Sequence, residues 1–137
     1  MTSSGTISAT DKGIVSIRSL HSFADTLQRL LQAFADHGIR VFAVIDQSTE
    51  AMAVGLQLPP TTLIVFGNPK SGTPLMLAQP LSGIDLPLKA LITESMPGQV
   101  MVSFNAAAYI VERHSLAADL LNNLAPAERL IAGVVAK

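Results

Sequence analysis

The stretch LIVFGNPKSGTPLM, from Leu63 to Met76, places Gly67, Asn68, Lys70, Gly72 and Thr73 directly after an apolar run. That spacing approaches the phosphate-binding pattern G-x-x-x-x-G-K-[ST]. There, backbone N–H groups wrap the phosphates and a lysine after the second glycine reaches them. The two glycines are correctly separated, but Lys70 lies between them rather than after the second, and Pro69 removes a backbone donor. The apolar run that ends in Asp46 also precedes this loop, the reverse of the usual order. Nucleotide hydrolysis is therefore not expected. Two readings remain. In one, Asn68-Pro69 starts a turn and Thr73-Pro74 caps a short helix. In the other, free N–H groups beside the helix start, with Lys70 as the local cation, attract a small anion.

Asp46 closes the apolar run VFAVI, so its carboxylate emerges at the end of a buried strand. If that strand runs parallel to the one before Gly67, Asp46 and Lys70 share a rim, and Asp85 and Lys89, on either side of LPL, can join them. The alternative is that Asp46 caps the following helix. His114 ends YIVERH, where a cation favours the helix dipole, and His37 sits just before the Gly38 stop with the same reading. His21 adjoins a cap at Ser22. Histidines this scattered offer no metal spacing, and no cofactor is expected. No G-x-S-x-G elbow occurs. Tyr109, Asn105 and Glu112 can line a pocket without specifying one, and Met52, Met76, Met96 and Met101 read as packing.

The elements that would position these groups follow from periodicity. GIVSIRS (13–19) alternates as a strand. SFADTLQRLLQAFADHG places Phe23, Leu27, Leu30, Leu31 and Phe34 on one helical face, with Ser22 and Asp25 as a capping pair and Gly38 as the stop. VFAVID (41–46) is apolar on both faces and predicts a central strand covered on both sides. STEAMAVGL predicts a short helix capped by Ser48 or Thr49. TTLIVFG (61–67) predicts a strand and TPLMLAQ a short helix. LPLKALITE and QVMVSFN flank SMPG and predict an antiparallel hairpin. AAAYIVERH predicts a helix, and the remainder two helical segments, the second opening at Pro126. The reading is α+β: a mixed sheet with a hairpin in the C-terminal half and helices packed on it, in a single domain over residues 13–137 behind a flexible tail, residues 1–12.

Composition narrows function. Of 137 residues, 49% are hydrophobic and 14% charged, against a usual charged share of about 25%. Mean hydropathy is +0.44, more apolar surface than a small monomer easily hides, so a homodimer is expected. A net charge of −1 with no basic cluster gives no footprint for nucleic acid or an anionic membrane. The absence of cysteine excludes disulfides, thiolate metal sites and cysteine nucleophiles. The small, polar start MTSSGTISATDKG has no signal-peptide core, which leads to an expectation of cytoplasmic location. AMAVGLQLPPTTLIVFGNP is free of charge, but Gly55 and Pro59-Pro60 interrupt it, so no membrane span is expected.

LPPTTLIVFGNPKSGTPLM, followed by DLPLKALITE, GQVMVSFN and RHSL, resembles the bacterial and archaeal family called domain of unknown function 302. The resemblance runs from about Gly13 to His114. It implies a compact, dimeric α+β domain with no established activity. The chain departs at Gln47, where the family leads one to expect histidine, so any role of that histidine does not carry over. The leading expectation is a non-catalytic homodimer that binds a small ligand, an anion among the options, or a partner protein, using Asp46, Asn68, Lys70, Thr73 and Lys89. The rivals are a small enzyme, with Asp46 or Asp85 as acid–base and Lys70 as electrostatic stabiliser, and a purely structural dimerisation module.

Overall fold

A computed structural model describes residues 7–137. Six strands form one sheet in the order β1-β2-β6-β5-β4-β3, and every neighbouring pair is antiparallel. In chain order they are β1 (Ile7–Ala9), β2 (Ile14–Arg18), β3 (Arg40–Asp46), β4 (Thr61–Gly67), β5 (Leu88–Met96) and β6 (Gln99–Asn105). The helices are α1 (Phe23–Asp36), α2 (Gln47–Ala53), α3 (Pro69–Ala78), α4 (Ala107–Arg113) and α5 (Leu121–Val135). The α+β class is as expected, but the sheet contains no parallel pair. The expected tail lies outside the described residues up to residue 6. Beyond it, Ile7–Ala9 add an outer strand against Val15–Ile17.

Alternation along the strands sorts side chains into two faces. Ile17, Ile64, Phe66, Ala90, Ile92, Val102 and Phe104 point toward α1 and α5 and form the main core with Leu30, Phe34, Ile131 and Val135. Phe34 stacks on Phe66 with ring centroids 4.3 Å apart. Ser22 Oγ accepts the Asp25 N–H at 3.1 Å, and Gly38 ends α1 at φ +67°, both as the sequence requires. The β5–β6 hairpin turns at Pro97-Gly98, where the Glu94 carboxylate accepts the Gly98 N–H at 2.8 Å.

Three expected elements differ. β3 is an edge strand rather than a central one. Its two-sided apolar pattern arises because a bulge between Val41 and Ala43 shifts the phase, leaving Phe42 and Val44 exposed. α3 begins at Pro69 rather than at Thr73, because Asn68 supplies the cap and proline suits the first helical position. The C-terminal half of the expected pair is one helix: α5 runs through Pro126, after a short 3₁₀ turn at Ala118–Leu120.

Candidate functional site

The expected rim of Asp46 and Lys70 does not form. β3 and β4 are antiparallel neighbours, Asp46 opposite Thr62 and Arg40 opposite Gly67. Asp46 is thus five strand residues from the Gly67 end, about 17 Å at 3.4 Å per residue, well beyond a screening length of about 8–10 Å. Asp46 instead caps α2, its Oδ1 accepting the Thr49 N–H at 3.0 Å. The Thr49 N–H, and then its hydroxyl, hold this exposed carboxyl below the usual carboxylate range. A depressed folded-state pKa means the cap is fully present above the unfolded value and fades as pH falls through the folded one. It also makes Asp46 a poor acid–base near neutrality. Gln47 opens α2 at the same distant end.

At the Gly67 end the sequence folds into a groove of about 510 Å³. Its walls are the end of α1 (His37, Ile39), Phe42 at the β3 bulge, Phe66 and Gly67 of β4, the first turns of α3, the Leu86–Leu88 segment and one side of α5 from Asn122 to Leu130. Asn123 Nδ2 donates to the Ser71 carbonyl at 3.1 Å and so joins α5 to α3 across it. No Lys, Arg, Asp or Glu lines the groove. Asn68 and Thr73 do. Lys70 lies in the first turn of α3 but is not part of the lining, and Lys89, paired with Val65, falls on the opposite face of the sheet.

The phosphate-cradle resemblance dissolves in the same geometry. What looked like a loop between Gly67 and Gly72 is the Asn68 cap and the opening of α3. The Lys70 N–H is taken by Asn68 Oδ1 at 3.0 Å, and the Ser71 and Gly72 N–H groups by the Asn68 carbonyl at 2.9 Å. Pro69 has none. The donors an anion would need are therefore already used.

α5 contributes polarity in a different way. Pro126 sits within the helix and has no N–H to give to the carbonyl of Asn122, so that acceptor is released toward the groove both residues line. His37 Nδ1 lies 2.8 Å from the Ala33 carbonyl, to which it must donate, leaving Nε2 for other partners.

Asp85 belongs to a cluster that the sequence did not reveal. His114 Nε2 lies 2.6 Å from Asp85 Oδ2, and Arg113 Nη1 donates to both carboxylate oxygens at 3.1 Å. The Asp85 and His114 side chains are only 9% and 8% exposed. Asp85 immediately precedes Leu86–Leu88, so this clamp pins one groove wall to the end of α4. Its carboxylate is fully engaged, and among these partners there is no Lys70 for it to work with. Glu128 was likewise missed. Its Oε1 accepts the Ala107 N–H at 3.0 Å, satisfying the first turn of α4, whose Ala106 cap has no side-chain acceptor. Among the described residues no group of three or more His, Asp or Glu is placed to hold a metal ion.

Comparison with known proteins places this geometry. A protein of Brucella suis biovar 1 (strain 1330) named "Fluoride-specific ion channel FluC 1" is 42% identical over 106 residues, 77% of this chain and 42% of that protein. One of the same name from Brucella abortus biovar 1 (strain 9-941) is 42% identical over 106 residues, with 39% of its length covered. The chain thus spans about two fifths of these curated relatives, and none of its described helices is long and apolar enough to cross a membrane. A crystal structure described as an uncharacterized conserved protein DUF302 from Bacillus stearothermophilus shares the fold, with TM-score 0.76 and 17% identity over 90% of this chain and 95% of that one. The sequence profile described as "Domain of unknown function DUF302" matches residues 15–136. Fold and sequence agree: the chain belongs to the domain of unknown function 302 family.

Proposed function

We propose that the groove binds a neutral, mostly apolar small molecule. The observation that carries this is a lining free of ionised side chains around about 510 Å³, within the ordinary range of about 300–1,000 Å³ for ligand pockets. Phe42, Phe66, Leu88 and Leu130 supply apolar contact, while Asn68, Thr73 and the Asn122 carbonyl supply orientation. The anionic ligand expected from Lys70 has less support, because the helix-start donors are occupied. An acid–base enzyme has less still, since neither Asp46 nor Asp85 faces the groove with a free carboxylate and a neighbouring lysine.

Gly72 gives the test. A Cβ there meets only Leu86 Cδ1, at 3.8 Å, and the residue is helical, so a larger side chain can enter the groove without forcing the backbone. The neutral solvatochromic dye Nile red should bind the wild-type protein saturably with a blue-shifted emission. Gly72→Phe should abolish that signal while leaving the thermal melt intact. Unchanged binding by a folded Gly72→Phe protein would refute the reading.

A second reading draws on the relatives named as fluoride-specific ion channels. The matched part occupies only 39–42% of their length, which suits a module that works beside a channel. Co-expression with a fluoride channel should then retain the chain on the detergent-purified channel. Loss of the chain during washing would count against this reading and leave the groove proposal untouched.

A further inference from the structure

The strand registers define a second surface, away from the groove. Ile45, Leu63, Leu91, Ser103, Ser16 and Ser8 form one continuous cross-strand row over all six strands. Ser16 Oγ and Ser103 Oγ meet at 2.7 Å, which confirms that the row lies on a single face. Ala43 and Val65 form the next row, and Thr61, Thr93 and Met101 flank the first on its other side. None of these side chains belongs to the core cluster, whose helices α1 and α5 pack on the opposite face. α2 is tied to the Pro59–Thr61 end through Ser48 Oγ. The open face is therefore apolar over β3, β4 and β5 and turns to serine over β6, β2 and β1.

We infer that this open face is the docking surface for a second copy of the chain, sheet against sheet. Area supports it. Six strands about 4.8 Å apart and rows spanning about 20 Å give about 580 Å² per copy, so two copies bury about 1,150 Å² before side-chain relief, past the roughly 1,000 Å² a specific interface needs. Shape supports it too, because flat apolar sheet faces bury one another at a spacing of about 10 Å. Charge sets no barrier. The chain carries net −1, and the registers put only Lys89 and Arg18 among the ionised residues of these rows, too few to favour an anionic membrane instead.

The test exploits the difference between a surface exposed in the monomer and one buried in the dimer. Multi-angle light scattering should give the mass of two chains for the wild type and for Gln28→Glu, a control on the exposed side of α1. It should give one chain for Leu63→Glu and Leu91→Glu, both with native circular dichroism. A monomeric wild type, or a Leu91→Glu protein that stays dimeric, overturns the inference. Should the glutamate variants fail to fold, the cysteine-free background allows Thr93→Cys. Its thiol should react with a maleimide severalfold more slowly in concentrated than in dilute protein, and a concentration-independent rate overturns the inference.

Discussion

Phe66→Ala should destabilise the protein by about 3–5 kcal/mol, the usual cost of truncating a buried phenylalanine. The ring is 2% exposed and stacks on Phe34 at 4.3 Å with an interplanar angle of 19°. Both partners are held on rigid elements, β4 and α1, so the surroundings can collapse only partly into the space left behind. Against a typical domain stability of about 5–15 kcal/mol, such a loss leaves little margin. Chemical denaturation measures it directly, and a loss under about 1 kcal/mol would mean the two rings are not packed as described. The same substitution removes part of the groove floor, so Nile red affinity should change in step with stability. Few positions in the chain join core and site so directly.

Gly13→Ala should cost about 2–4 kcal/mol, combining the penalty for a left-handed backbone with that of overpacking. Gly13 has φ +85°, and a Cβ there would lie 2.2 Å from Cγ of Tyr109. Nor can the backbone shift freely, since the Gly13 carbonyl accepts the Ala106 N–H at 2.8 Å and its own N–H donates to Thr10 at 3.2 Å. A bare α-carbon at this point is what lets the start of β2 lie flush against the ring on α4. The double variant Gly13→Ala/Tyr109→Ala should therefore be less destabilised than the sum of the two single changes, because the clash disappears while the backbone penalty remains. Full additivity in denaturant titrations would show that ring contact plays no part.

Much of the architecture was legible because local signals agreed. In α1 the apolar stripe, the Ser22 cap and the Gly38 stop all specify one helix, and the Pro97-Gly98 turn fixes a hairpin. Strand direction was not legible. An apolar run reads the same whether its neighbour is parallel or antiparallel, and that single unknown decided whether Asp46 and Lys70 could meet. Asn68 and Thr73 were found because the glycine spacing drew attention to the right end of β4, though for a chemistry that the Asn68 cap then removes. Pro126 suggested a helix start because its missing N–H suits one, yet tertiary packing of α5 carries the helix through it. Asp85 and His114 stand 29 residues apart, and only the closure of α4 onto the segment before β5 makes them partners.

The bulge at Phe42 bears on how the protein avoids growing into fibres. An outermost strand leaves unpaired N–H and C=O groups that can template an incoming chain. In β3 the additional residue interrupts the even spacing of those groups and sharpens the local twist. A foreign strand starting to zip along Ala43–Asp46 loses register on reaching Phe42, whose ring lies under the Arg40 guanidinium at 4.8 Å. Runaway polymerisation along this margin is blocked by backbone geometry, leaving pairing through the broad face as the association that closes on itself.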